Sequence, residues 1–563
     1  MRGGSPIWGV LAIALGALTL PGAASAPRTA TFAWVDYTGD DALPPGVTQA
    51  PGDYRNPILA GFYPDPSITR AGDAYYLVNS TFSYFPGLPV FRSTDLVHWT
   101  QIGNAIDRPD MVDFGALGVS RGLYAPAISY RDGTFWIVNT CVDCGGNFVI
   151  TATDPAGPWS DPIWLKEAAG GIDPSLFFDD DGSAWLVNND VPAEPPRYDG
   201  HRAIWLQRFD PATKRLVGAR RVIVDGGADP AADPIWIEGP HLFKKDGHYY
   251  LIAAEGGTAE NHSEVVFRAD AVTGPYVPFV GNPILTQRNL PATRAFPITS
   301  TGHAGFVDTG KGWWATFLGV RPYDGRNFNT GRETFLLPVT WADGWPRITA
   351  PGAAVPYVHA RPDLPVATAP APTTGPMTRR ERFDGPALPL DWMMLRNPAG
   401  HWYRLGDGAT LDARAVGLGD SGNPSFLARR QQHLNASVTT RVRFAPAQDG
   451  DRAGLAAFQN DDYWFFLGIE QVAGKAMIRL DRRAGERNPK AGTMVAEAPL
   501  DAAAGAPIDL RITARGGRYD FAYATRPGVW RVLARDVDGT ILSTEVAGGF
   551  VGTMLGIYAY AAD

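Results

Sequence analysis

Short runs of hydrophobic residues, many of them aromatic or β-branched, dominate the chain between about residues 56 and 350. Clusters of Gly, Pro, Asn and Asp separate these runs, as they separate strands in β-proteins. No long stretch in this region shows the 3.6-residue period of an amphipathic helix. The pattern therefore predicts an all-β structure.

One unit recurs in this region as a strand, a tight turn with glycine and a second, aromatic strand. We call the first residue of each copy its anchor, and the five anchors are Asp65, Ala125, Asp173, Glu238 and His303. The turn glycines follow their anchors by seven to nine residues, at Gly72, Gly133, Gly182, Gly247 and Gly312. Successive anchors are 48 to 65 residues apart, a spacing typical of multi-stranded propeller blades. The repeat predicts a five-bladed β-propeller.

The repeat ends near residue 350, and residues 361–377 form a stretch rich in Pro, Ala and Thr. Such a composition is typical of an extended, semi-rigid linker. Alternating runs return in residues 378–563 without the repeat, which predicts a β-sandwich. The expected organisation is a propeller in residues 27–360, the linker, and then the sandwich.

The first 26 residues predict a secretory signal peptide. Arg2 precedes an apolar run, and Ala24, Ser25 and Ala26 provide a small-residue cleavage site. We therefore expect a secreted or periplasmic protein without a membrane partner. Only two cysteines exist, Cys141 and Cys144. In an exported chain they could close a small disulfide loop or stay free, and the sequence leaves both states open.

The composition limits the classes of partner that we expect this protein to bind. The chain has 563 residues, of which 45% are hydrophobic and 19% charged, as in a globular protein of two domains. Its formal net charge is -8 and no block of Lys and Arg occurs, so nucleic acid is not expected as a partner. Aromatic residues make up 11% of the chain, and flat amphipathic rings suit sugar rings. The oligomeric state is left open.

The anchors include the candidate catalytic residues. The innermost strands of a propeller line its central channel, so the anchors should meet in a ring at one mouth. Asp65, Asp173 and Glu238 would bring three carboxylates together there. Like charges in a partly desolvated site raise one another's pKa, so that one carboxyl stays protonated while another is ionised. This arrangement predicts general acid and base catalysis.

The surroundings of each acid suggest its role. Glu238 follows the apolar residues 235–237, which favour a protonated general acid. Asp65 lies between Pro64 and Pro66, whose rings restrict the backbone, and is the better general base. Asp173 would then orient the acid and tune its pKa. Such a trio can cleave a glycosidic bond with inversion, when base and acid lie about 6.5–9.5 Å apart.

The motifs around these acids resemble those of glycoside hydrolase family 43. NPILAGFYPDPSI, GGIDPSLFFDDDG and IWIEGPHLFKKDGHYYL look like the base, pKa-modulating and acid motifs of its β-xylosidases and α-L-arabinofuranosidases. The resemblance covers nearly all of the mature sequence and implies a five-bladed propeller followed by a concanavalin-like sandwich. It also implies an inverting exo-hydrolase that releases pentose from xylo-oligosaccharides or arabinoxylan and requires no cofactor.

The same resemblance implies substrate-binding residues. Phe82 and Tyr124 correspond to aromatic walls of the sugar pocket, although tryptophan is common at the position of Tyr124. Arg332 corresponds to an arginine that contacts sugar hydroxyls, and Phe550 is the candidate for an aromatic contributed by the sandwich. His303 corresponds to a histidine near the propeller axis with a hydrogen-bonded or water-bound role. A central calcium ion near His303 is left open.

Two alternatives and one ambiguity remain at this stage. A retaining hydrolase of the fructan-cleaving type would use the first-blade aspartate as a nucleophile, but it would carry Arg-Asp-Pro where Ile172, Asp173 and Pro174 stand. A carbohydrate-binding propeller without catalysis is the second alternative.

The acidic run at residues 179–181 lacks the spacing of a calcium loop and predicts a solvated turn. The choice between xylose and arabinofuranose depends on pocket shape.

Overall fold

The structure is a computed structural model that describes residues 28–40, 42–168, 170–291, 293–368 and 372–563, with Met1, Gly3 and Gly4. Residues 5–27 lie outside the described residues, and with them most of the predicted signal peptide. In the part of the chain that the structure describes, no helix is long and apolar enough to span a membrane.

Five antiparallel sheets succeed one another between residues 67 and 347, and we name them blades I to V. Their strands, from the innermost outward, are Ser67–Ala71, Ala74–Val78, Gly87–Ser93 and Thr100–Ile106 in blade I; Gly122–Arg131, Thr134–Val142, Gly146–Ala152 and Ile163–Trp164 in blade II; Ile172–Phe178, Ala184–Asp190, Ala203–Asp210 and Arg215–Asp225 in blade III; Glu238–Lys245, His248–Glu255, Ser263–Ala269 and Val277–Pro278 in blade IV; and Thr299–Asp308, Trp313–Val320, Glu333–Ala342 and Trp345–Arg347 in blade V. An additional strand, Leu285–Thr286, pairs with Ser263–Ala269 in blade IV.

The innermost strands close a ring. Each contacts the innermost strands of the neighbouring blades, and that of blade V contacts that of blade I. The predicted all-β fold with five blades is confirmed. The five turn glycines of the repeat all have a positive φ, between 61° and 140°. Glycine adopts this backbone without the steric penalty of a Cβ, which is why the repeat has glycine there.

The segment before blade I ties the two ends of the propeller together. Asp53–Arg55 pairs with Val358–Ala360, and Leu59 forms a bridge with Thr334 in blade V. The side chain of Asn56 donates a hydrogen bond to the Leu336 carbonyl. These contacts hold the chain that leads into Asp65 against blade V.

Two antiparallel sheets form the sandwich. The larger has the strand order Tyr403–Gly406, Gly408–Asp412, Thr29–Gly39, Asn435–Arg443, Ile508–Arg515, Arg518–Ala524 and Arg531–Asp538, with Met377–Glu381 paired to Thr29–Gly39. The smaller has the order Ser425–Arg430, Met554–Tyr560, Arg452–Asn460, Tyr463–Val472, Lys475–Ala484 and Thr493–Pro499. Three short helical turns complete the described elements, at Pro230–Ala232, Thr540–Leu542 and Thr544–Ala547.

The first strand departs from the predicted domain boundaries. Thr29–Gly39 lies in the range 27–360 assigned to the propeller, but it pairs with Asn435–Arg443 in the sandwich. Its residues Phe32 and Tyr37 are buried in the core. This part of the predicted boundary is therefore wrong. The sequence could not show it, because alternation indicates which face of a strand is buried but not which sheet the strand joins.

The two domains share a hydrophobic cluster. Phe62, Phe82 and Val119 from the propeller pack with sandwich residues that include Phe458 and Val551. A two-stranded pair of Tyr84–Phe85 with Met394–Leu395 also crosses the boundary. The propeller and the sandwich therefore form one continuous body at this face.

Two further expectations concern blade II and blade III. Cys141 and Cys144, left open above, form a disulfide. Asp179 is buried rather than solvated, and it accepts hydrogen bonds from Lys244 and from the Tyr249 hydroxyl of blade IV. Asp180 is exposed, as predicted for a turn. The acidic run therefore links two blades.

Candidate active site

All five anchors line one cavity of about 520 Å³. The other predicted site residues, Phe82, Tyr124, Arg332 and Phe550, line the same cavity. Residues separated by up to 485 positions in the chain are thus brought together, from Asp65 to Phe550. The repeat explains this convergence for the anchors, because each lies within the innermost strand of its blade or, for Asp65, two residues before it.

Irregular backbone geometry sets the direction of the anchor side chains. The pairing of the first two strands shifts register beside the anchor in blades II to V, as in a β-bulge. Asp65, Asp173 and His303 also have left-handed φ values, between 52° and 55°. Bulges re-aim side chains, and left-handed conformations of non-glycine residues concentrate at functional sites.

Asp65 is a buried carboxylate with charged partners. Its Oδ1 accepts a hydrogen bond from Arg332 at 3.1 Å, and its Oδ2 accepts one from the Ser80 hydroxyl at 2.5 Å. Burial raises the pKa of Asp65, but the charges of Arg332 and His303 and the Ser80 hydrogen bond outweigh it. The net effect lowers the pKa below its usual value, so Asp65 is ionised at neutral pH.

Asp173 accepts a hydrogen bond on Oδ2 from the backbone N–H of Gly239, at 3.0 Å. Gly239 directly follows Glu238, so this bond joins Asp173 to the backbone that carries the acid. Burial raises the pKa of Asp173, the charge of His303 lowers it and the charge of Asp65 raises it further, to about 6 in total. Asp173 is thus placed to act on Glu238 through both its backbone and its charge.

Glu238 is 9% exposed and opens the innermost strand of blade IV. Burial raises its pKa well above the usual value, and the charges of Asp173 and Asp65 raise it further. Glu238 therefore holds its proton where Asp65 has lost its own. One protonated and one ionised carboxyl on the same cavity can perform general acid and base catalysis.

His303 lies beside Asp65, with its Nδ1 3.9 Å from the Asp65 Oδ1. Its ring packs on Gly239, where a Cβ would come within 2.8 Å of the His303 Nε2. Among the described residues, no group of three or more His, Cys, Asp or Glu is arranged to hold a metal ion. Calcium takes six to eight oxygen ligands, which include water and backbone carbonyls, so a central calcium ion near His303 stays an untested prediction.

Aromatic rings and the Arg332 guanidinium surround the Asp65 end of the cavity, and Arg121 lines the cavity beside Tyr124. Phe82 stacks on Phe550 with 6.0 Å between ring centroids, and Tyr124 meets both rings edge to face. The guanidinium of Arg332 lies over Phe550 at 5.2 Å. Aromatic rings with guanidinium groups among them can hold the apolar face and the hydroxyls of one sugar.

Sequence reasoning missed three residues that build this site. The Ser80 hydroxyl donates a hydrogen bond to Asp65. The Ser120 hydroxyl accepts a hydrogen bond of 2.8 Å from the backbone N–H of Phe550. The Ser120 carbonyl also accepts the Tyr124 hydroxyl, so Ser120 links an aromatic wall to the sandwich. Trp236 lines the cavity two residues before Glu238, and its place in the IWIEGP motif was a signal that could have identified it.

Comparisons with known proteins agree with this architecture. Residues 54–346 match the glycosyl hydrolases family 43, and residues 380–563 match the β-xylosidase C-terminal concanavalin A-like domain. A xylosidase/arabinosidase of Butyrivibrio fibrisolvens is 38% identical over 513 residues, which cover 90% of this chain and 95% of that protein.

A non-reducing end α-L-arabinofuranosidase of Bacteroides ovatus is 37% identical over 529 residues, covering 91% of this chain and 92% of that protein. Among solved structures, a GH43_12 protein retrieved from capybara gut metagenome superposes with a TM-score of 0.88 at 38% identity. That superposition covers 95% of this chain and 100% of the other.

Proposed function

The chain belongs to family 43 of the glycosyl hydrolases, and we propose that it is an inverting exo-hydrolase that releases single pentose units from xylo-oligosaccharides or arabinoxylan. As a glycosidase of this family it is neither the fructan-type hydrolase nor the binding propeller considered above. The observation that carries the proposal is that Asp65, hydrogen-bonded to Arg332 and Ser80, lines one cavity with the buried Glu238 and Asp173.

Each acid has one step in the proposed reaction. Glu238 donates its proton to the oxygen of the leaving group, and Asp65 takes a proton from the water that attacks the anomeric carbon from the opposite face. Asp173 holds the Gly239 N–H and supports the high pKa of Glu238. Arg332 and His303 keep Asp65 ionised until it takes the proton.

Phe550 supports the exo-acting part of the proposal. It reaches the cavity from the sandwich, packs on Phe82 and Tyr124, and covers one side of the Asp65 end. A polysaccharide chain needs a cleft that is open at both ends, whereas a terminal sugar fits a site covered at one end. We therefore place a single terminal pentose between Phe550 and the carboxylates.

The proposal is tested on nitrophenyl β-xyloside and nitrophenyl α-L-arabinofuranoside, which also decides between the two pentoses. We expect release of nitrophenol from at least one of them, and proton NMR of fresh product should show the inverted anomer. Asp65→Ala should lower kcat by about 10²–10⁴-fold, the usual contribution of a general base. Initial retention of the anomer, or turnover unaffected in Asp65→Ala, contradicts the proposal.

Export is a separate proposal. The signal-like residues 1–26 support it, and a disulfide such as Cys141–Cys144 persists in oxidising compartments. Expression of the full chain in a bacterial host should place active, shortened protein in the periplasm or medium. Mass spectrometry that finds residues 1–26 intact on cytoplasmic protein contradicts it.

A further inference from the structure

Trp236 is an exposed aromatic residue at the cavity that has no role in the mechanism above. Its side chain lines the same cavity as the three carboxylates, yet 38% of the residue is exposed. Phe82, which lines the cavity beside Asp65, is 1% exposed. This contrast places Phe82 at the inner part of the cavity and Trp236 at its mouth.

The surrounding loop holds Trp236 in place. The guanidinium of Arg202 lies over the indole ring, 3.9 Å from the ring centroid. The backbone N–H of Trp236 donates a hydrogen bond of 2.8 Å to the Gly200 carbonyl. Arg202 therefore occupies one face of the indole, and a guanidinium over a Trp face is a favourable contact.

The backbone of Trp236 is strained. Its φ of 54° lies in the left-handed region, where a bulky aromatic residue is an outlier. Such conformations persist only where surrounding contacts enforce them, and they concentrate at functional sites. A fully exposed turn would gain nothing from this conformation, whereas a ring that must be presented to a ligand would.

The position of Trp236 relative to Glu238 decides which part of a substrate it meets. A general acid lies next to the oxygen of the leaving group, so the surface near Glu238 and toward the mouth faces the leaving group. The inner walls, Phe82 and Phe550 with Arg332, surround Asp65 at the other end. Trp236 is two residues from Glu238 and lies on the mouth side.

We propose that Trp236, backed by Arg202, is the platform on which the leaving-group sugar stacks. The inference rests on the proposed function and extends it from the terminal pentose to the sugar next to it. The C–H groups of a pyranose face pack well on an indole. The platform would favour oligosaccharides over pentosides that lack a second ring, and it would hold the scissile oxygen near Glu238.

The test compares two substrates that share a terminal pentose and both need the proton of Glu238. Xylobiose has a sugar as its leaving group, and methyl β-xyloside has only methanol. If wild type prefers arabinofuranosides, the pair is arabinobiose and methyl α-L-arabinofuranoside. We expect Trp236→Ala to lower kcat/KM about tenfold or more on the disaccharide and less than twofold on the methyl pentoside. Trp236→Phe, which keeps a ring, should retain most of the activity on the disaccharide.

Trp530→Ala is the matched control, because Arg511 lies 3.7 Å over this tryptophan in the sandwich and Trp530 does not line the cavity. It should leave both substrates unchanged. Equal losses on both substrates in Trp236→Ala would show that the residue supports Glu238 or the fold, and would overturn the platform. A wild type that hydrolyses neither nitrophenyl pentoside would instead contradict the proposed function itself.

Discussion

At the scale of single residues, three carboxyl groups on one cavity differ because of what lies against each. Arg332, His303 and Ser80 surround Asp65, and they lower its pKa despite its burial. Within the described residues no hydrogen-bond partner binds the Glu238 carboxyl, and burial with two acidic neighbours raises its pKa despite the charges of Arg332 and Arg202. The proposed roles of base and acid rest on this difference, since a base must be ionised and an acid must be protonated.

Glu238→Gln should separate substrates by their leaving groups. Xylobiose needs a proton on the leaving oxygen, so kcat should fall by about 10²–10⁴-fold. Nitrophenyl pentosides leave as stable anions, so their turnover should fall far less. Steady-state kinetics on both substrates measures the difference, and equal losses on the two would refute Glu238 as the acid.

Asp173→Asn should move the basic limb of the pH profile. The Asp173 charge helps to raise the pKa of Glu238, so its removal lowers that pKa. Glu238 then loses its proton at a lower pH, and the basic limb of kcat/KM on xylobiose shifts to lower pH. The exposed Asp180→Asn is the control and should leave the profile unchanged. A basic limb that stays in place, or moves to higher pH, would contradict the role of Asp173.

At the scale of elements, one loop of the sandwich completes the propeller site. Phe550 lies in the loop between the helix Thr544–Ala547 and the strand Met554–Tyr560, and its N–H binds Ser120 of the propeller. Gly549 permits this approach, since a Cβ there would come within 2.3 Å of the Ser120 hydroxyl. The loop thus depends on a small residue to reach the cavity.

Phe550→Ala should weaken catalysis more than stability. Aromatic contacts are worth about 1 kcal/mol, so kcat/KM on pentosides should fall about fivefold, mainly through KM. Phe458→Ala is the comparison, because Phe458 is fully buried in the same cluster. That change should cost about 3–5 kcal/mol of unfolding free energy. A Phe550→Ala protein with wild-type kcat/KM would show that the ring does not contact substrate.

At the scale of the whole molecule, a buried ion pair joins the propeller, its leading segment and the sandwich. Arg321 binds Glu333 through two nitrogens at 2.6 and 2.8 Å and also donates to the Gln432 carbonyl of the sandwich. Glu333 accepts the backbone N–H of Gly61, four residues before Asp65. Arg321 and Glu333 are both buried, so the pair is central to the joint between the domains.

Arg321→Met should therefore destabilise the entire protein. It leaves the Glu333 charge buried without its guanidinium, which costs about 3–5 kcal/mol. Arg326→Met is the matched control, because Arg326 pairs with Glu260 and Glu545 at the surface. Loss of such exposed ion pairs should lower the free energy of unfolding by about 1 kcal/mol or less. Denaturant unfolding measures both. Equal effects of the two substitutions would contradict the special role of the buried pair.

The repeat, its turn glycines and the five anchors were readable from the sequence because they depend on local, periodic chemistry. A hairpin needs a turn residue that tolerates a positive φ, and Gly72 and its four equivalents have it. Periodicity then placed Asp65, Asp173 and Glu238 at equivalent positions, which is enough to predict that they meet. The resemblance to family 43 added Phe82, Tyr124, Arg332 and Phe550.

Other features were decided only by tertiary structure, since they depend on contacts between distant parts of the chain. Thr29–Gly39 reads as a strand, but nothing in its alternation indicates that it joins a sheet with Asn435–Arg443. Asp179 looks like a turn acid until blade IV covers it. The low pKa of Asp65 depends on Arg332, which lies 267 positions away. The sequence by itself determined which acids converge, and only the packing around them decided which one keeps its proton, because burial and neighbouring charge set a pKa.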